Sequence, residues 1–121
     1  MVQKIRLDQG TVETLREMTD RGRPDYLGEL ISVFLDTFSG QLEMLINHAD
    51  AGDRHGMARI CLDMKSSSAS VGACVLAARC SDLETLLRTG GMRGTAAIMR
   101  DIVEEFAEVR PDLEDLLFEP A

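Results

Sequence analysis

Leu27-Gly28-Glu29-Leu30-Ile31-Ser32-Val33-Phe34-Leu35-Asp36-Thr37-Phe38-Ser39-Gly40-Gln41-Leu42-Glu43-Met44-Leu45-Ile46-Asn47-His48-Ala49 is the stretch that decides the fold. Its apolar residues Leu27, Leu30, Ile31, Phe34, Leu35, Phe38, Leu42, Leu45, Ile46 and Ala49 recur at i, i+3 and i+4 for about six turns. That period lays them along one stripe of an α-helix, which must be buried against other elements. Gly28 and Gly40 lie inside the pattern. Each costs roughly 1 kcal/mol against alanine, less than burial of the stripe supplies.

Downstream, Asp50-Ala51-Gly52-Asp53 stops this helix, with Gly52 as the C-terminal breaker and Asp53 as the next N-cap. His48, in the last turn, faces the negative end of the helix dipole. A third helix is expected from about Arg54 to Val71, interrupted by Gly72. A fourth follows from near Cys74, with Leu76, Cys80, Leu83, Leu86 and Leu87 inward, and Thr89-Gly90-Gly91 closes it. The last helix spans roughly Thr95 to Leu117, with Ile98, Ile102, Val103, Phe106 and Val109 inward and Leu113, Leu116 and Leu117 continuing that face. Pro111 should kink or restart it, because proline cannot donate to residue 107.

Upstream, a first helix starts after the N-cap Asp8, with Val12, Leu15 and Met18 in a three-residue rhythm. Thr19-Asp20-Arg21-Gly22-Arg23-Pro24 reads as a loop. Pro24 suits the first turn of the second helix, and Asp25 its positive end. No alternating β-branched or aromatic run competes. The expected fold is all-α: an up-and-down antiparallel four-helix bundle with an extra short N-terminal helix, one domain over residues 1–121.

The 21 acidic and 13 basic residues give a formal net charge of −8. That balance argues against nucleic acid or an anionic membrane as partner. No apolar run approaches the ~18 residues of a membrane span, and Met1 opens a polar stretch unlike a signal peptide, so a cytoplasmic protein is expected. Cys61, Cys74 and Cys80 form no Cys-x-x-Cys pair, and His48 and His55 add no zinc spacing. Cys61 and Cys80 read as buried thiols. No metal, no cofactor and no enzymatic nucleophile–base pair is expected. A monomer is the default.

On the third helix, about 100° per residue separates two faces. Met57, Cys61, Met64, Ser68 and Val71 share an inward stripe, with Ile60 at its margin. Leu62 points roughly 150° away from the stripe's centre. It shares the outer face with His55, Ala58, Arg59, Lys65, Ser66 and Ala69. Arg54, Arg59 and Lys65 form a local basic patch on an acidic chain.

Lys65-Ser66-Ser67-Ser68-Ala69-Ser70-Val71-Gly72-Ala73 resembles the signature of histidine-containing phosphotransfer (HPt) domains, His-x-x-Lys-Gly-Ser-Ser-x-x-x-Gly-Ala. Pro24-Asp25-Tyr26-Leu27 with Leu30, Phe34 and Leu35 resembles the family's second-helix opening. Ala49 and Asp53 precede the motif, and Arg79, Leu83 and Glu84 follow it, as in the family; the likeness spans roughly residues 5 to 110. It implies a four-helix bundle, and a receiver domain of a response regulator or a histidine kinase as partner. In the family the lysine neighbours the phosphoryl group and helps neutralise it; in this chain Lys65 reads equally as a docking charge or as a solvated lysine. Ser67, Ser68 and Gly72 read as structural, Ser68 on the inward stripe and Gly72 at a helix end.

Two positions depart from the motif. Leu62 stands where the family has its phospho-accepting histidine, and Ser66 where it has the glycine that lets a partner's loops approach. Leucine offers no lone pair, so phosphoryl transfer through position 62 is chemically excluded. Three functions fit these residues. The first is a pseudo-HPt module that binds receiver or kinase domains without carrying phosphate, in the manner that a resemblance to plant pseudo-phosphotransfer proteins suggests. The second is active phosphotransfer through another residue such as His55, two turns before Leu62 and about 10 Å away by helical rise. The third is a helical interaction or assembly protein outside phosphorelay signalling.

Overall fold

The computed structural model describes residues 6–21 and 26–117. Five helices follow one another: α1 (Gln9–Asp20), α2 (Tyr26–Asp50), α3 (Arg54–Ser70), α4 (Cys74–Thr89) and α5 (Thr95–Leu117). No strand occurs among the described residues. Helices α2 to α5 form an antiparallel four-helix bundle, and α1 packs on α2 at one end.

The α2 stripe builds the centre. Leu27, Ile31, Phe34, Leu35, Phe38 and Leu45 are buried. Phe38 stacks at 4.6 Å on Phe106 of α5, and Phe34 meets the same ring edge-on at 6.3 Å. These rings hold α2 to α5 beyond what area burial alone supplies. Ile46, expected inward, is 43% exposed, and Val103 of α5 is 46% exposed. Each lies one residue after a buried neighbour, Leu45 and Ile102, and the rotation between them carries the second side chain past the rim of the stripe. Met18 is likewise exposed in the last turn of α1. Leu30, Leu42, Ala49, Leu86, Ile98, Leu116 and Leu117 are half-buried at the bundle's margins.

The helix ends are set by local chemistry. Asp8 caps α1 by accepting from the Gly10 N–H at 3.3 Å and from the Thr11 hydroxyl at 2.6 Å. Thr19 and Asp20, expected in a loop, are helical. The Thr19 hydroxyl donates to the Leu15 carbonyl and accepts from the Leu27 N–H at 3.2 Å. It thereby satisfies one of the donors that the first turn of α2 leaves open, which ties α1 to α2. The expectations for Pro24 and Asp25 lie outside the described residues. Gly52, at φ 69°, ends α2, and the Asp53 N–H closes back on the His48 carbonyl at 2.8 Å. Helix α5 runs through Pro111 as a single element, so the expected restart does not occur. The residue after α4, Gly90, donates its N–H to the Leu86 carbonyl at 2.7 Å.

Gly72 ends α3 at φ 78°. Its carbonyl accepts from the Asp8 N–H at 2.6 Å, and a Cβ there would lie 3.2 Å from the Asp8 carbonyl oxygen and 3.3 Å from Thr11 Cβ. Left-handed backbone and close approach together demand glycine at this point. Glu105 of α5, only 4% exposed, meets Arg6 Nε at 3.5 Å, and Arg6 also pairs with Glu108. This ion pair brings the segment before α1 onto α5.

Gly40 has no such reason. It sits exposed inside α2, and a Cβ there would meet nothing within 4 Å. Gly40→Ala is expected to stabilise the fold by roughly 1 kcal/mol, because the glycine's freedom in the unfolded chain is reduced at no steric cost. Urea unfolding checks this; a lower midpoint would mean that the exposed position is under a constraint absent from the bundle.

Candidate functional site

Helix α3 starts at the Asp53 cap, whose Oδ1 accepts from the Gly56 N–H at 2.9 Å. That bond, then His48, holds the Asp53 carboxyl below its ordinary value. His48 Nδ1 lies 3.0 Å from Asp53 Oδ2, and a Cβ at residue 56 would fall 2.4 Å from that ring nitrogen. Glycine at 56 therefore makes room for the ring. A carboxylate of lowered pKa adds stability above the unfolded value, and the contribution is lost as pH falls through the folded one. Part of the acid unfolding below the ordinary aspartate value of 3.8 should thus come from Asp53. Asp53→Asn keeps a capping side chain and should flatten that part of the melting-temperature profile; an unchanged profile would assign it elsewhere.

From this anchored start, α3 presents the two expected faces. Met57, Ile60, Cys61, Met64 and Ser68 are buried, and the Ser68 hydroxyl donates to the Met64 carbonyl at 2.8 Å. Ser67 is half-buried and donates to the Asp63 carbonyl at 3.0 Å. Burial pushes the Cys61 and Cys80 thiols up to about 12, so both stay protonated and inert.

The outer face carries Leu62 at 42% exposure. His55, Arg59, Lys65, Ser66 and Ala69 are exposed with it, and Ala58 is half-buried against the core at the edge. Arg59 and Lys65 stand three residues before and after Leu62, about 4.5 Å along the axis and 60° around it on either side. Arg54, Arg59 and Lys65 make no ion pair with any described residue, whereas Arg6, Arg16, Arg79, Arg88 and Arg110 each meet a carboxylate. His55 has no hydrogen-bond partner among the described residues to orient its ring. Asp63, one turn after Arg59, is exposed as well, and together with His55 and Arg59 it lines an open cleft of about 220 Å³ against Met44 and His48 of α2.

The site is thus an apolar centre bracketed by two cations, with no nucleophile at the centre. Among the described residues no group of three or more metal-ligating side chains converges, and no helix is long and apolar enough to cross a membrane. Sequence reasoning found the face itself but missed the His48–Asp53–Gly56 corner, whose only local signal is a histidine five residues before the cap.

The family model described as Hpt domain matches residues 29–116. This chain belongs to the Hpt domain family. An Hpt domain is a phosphotransfer-type signalling module of phosphorelays. The structure is similar to that of histidine-containing phosphotransfer protein B (HptB) from Pseudomonas aeruginosa PAO1, at TM-score 0.83 and 24% identity over 95% of this chain and 96% of that one. It is also similar to the histidine-containing phosphotransfer protein ZmHP2 from maize, at TM-score 0.82 and 21% identity over 93% of this chain and 82% of that one. At these identities the likeness to solved structures is one of fold. No curated protein sequence matched the chain.

Proposed function

We propose that this Hpt domain is a pseudo-phosphotransfer module. It docks the receiver domain of a response regulator, or a histidine kinase, through the outer face of α3, and position 62 accepts no phosphate. The observation that carries this is Leu62, exposed on α3 three residues before Lys65, where the motif places an imidazole. Phosphoryl transfer needs a nucleophile with a lone pair at that point. The leucine removes the chemistry and leaves an apolar centre suited to a protein partner, since interface centres favour apolar anchors within a polar rim.

The chain on this reading is a binding module and not an enzyme, and a cytoplasmic location goes with such partners. His55 is the alternative acceptor, but no described side chain orients its ring and no lysine stands three residues after it. The test is calorimetric titration of the chain with receiver domains of the same organism. Binding of at least one is expected; no binding to any receiver or kinase domain would leave an assembly role outside phosphorelay signalling.

A further inference from the structure

We infer, on the reading that α3 docks a receiver domain, that the preferred partner is the phosphorylated receiver, held without transfer. Arg59 and Lys65 bracket Leu62 and pair with no carboxylate among the described residues. Helix α3 carries one acid, Asp63, which lies about 100° around the helix from Leu62 and one turn after Arg59, with which it lines the cleft against α2. The docking face is therefore locally cationic on a chain of net charge −8. Two cations on either side of one point fit a compact dianion better than a single carboxylate, because charge-assisted hydrogen bonds to phosphate oxygens are among the strong ones. A phosphoryl group on the receiver's carboxylate presents that dianion.

Leu62 then sets the fate of the bound phosphoryl group. It offers no electron pair to the phosphorus, so the P–O bond to the receiver's carboxylate stays intact. Its side chain also occupies the space from which water would attack. Hydrolysis, in which a water oxygen bonds to phosphorus and the carboxylate leaves, should slow in the complex because the centre is desolvated. The module would act as a reader and keeper of the phosphorylated state.

The experiment compares each receiver domain that binds, free and loaded with beryllofluoride as the acyl-phosphate mimic. Affinity should be roughly tenfold higher for the loaded form, the size expected of added charge-assisted hydrogen bonds. Arg59→Gln and Lys65→Gln should each shrink that ratio while leaving measurable binding to the free form. The lifetime of the receiver's phosphate should lengthen when the chain is in excess. Equal affinity for both forms, or an unchanged lifetime at saturation, overturns this inference and leaves receiver docking standing. Absence of binding to either form of every receiver overturns both.

Discussion

Leu62→His combined with Ser66→Gly should turn a chain that takes no phosphate at position 62 into one that does. The expectation rests on geometry already present. Residue 62 is 42% exposed, on a helix whose inner face is fixed by buried Met57, Cys61, Met64 and Ser68. An imidazole there would stand in solvent, with Lys65 one turn on to neutralise an incoming phosphoryl group. Ser66→Gly removes the hydroxymethyl group four residues on, which lies beside residue 62 on the same face. The glycine should cost about 1 kcal/mol of helix stability, well within what a bundle of this size tolerates. The readout is acid-labile label transferred from a phosphorylated receiver. Stoichiometric label on the double variant, less on Leu62→His alone and none at residue 62 of the parent is the predicted series. A folded double variant that stays unlabelled with every receiver that binds it would show that the face lacks the geometry for transfer.

The second large effect is loss of docking in Leu62→Asp. A charge at the centre of the face must be desolvated on binding, and it replaces the apolar anchor where interface energy concentrates. Affinity for a receiver should fall by about a hundredfold, the scale of a hot-spot substitution. Stability should change by no more than about 0.5 kcal/mol, since the side chain is exposed and the core beneath it is untouched. Those two readouts separate docking from folding: a large drop in melting temperature would place Leu62 among the packing residues.

How much of the fold and the site was legible in the sequence depends on how local each cause is. The α2 stripe, the Asp8 and Asp53 caps and the turn at Gly72 were readable because spacing and residue type decide them within a few positions. The outward place of Leu62 followed from the same helical geometry. The width of the buried stripes was not readable, since Ile46 and Val103 are apolar at rim positions and only neighbouring helices set the rim. The Thr19–Leu27 bond between α1 and α2 was hidden because the hydroxyl looks like a loop signal until α2 is placed beside it. The Arg6–Glu105 pair joins residues far apart in the chain, and no local pattern announces it. The corner of His48, Asp53 and Gly56 combines three ordinary residues whose meaning appears only when α2 and α3 are antiparallel.

The most direct measurement is a native-gel shift of the parent chain mixed with a receiver carrying radiolabelled phosphate, followed by denaturing separation of the shifted band. A shifted complex whose label remains on the receiver is the predicted result. Label on this chain, at His55 or any other residue, would contradict it.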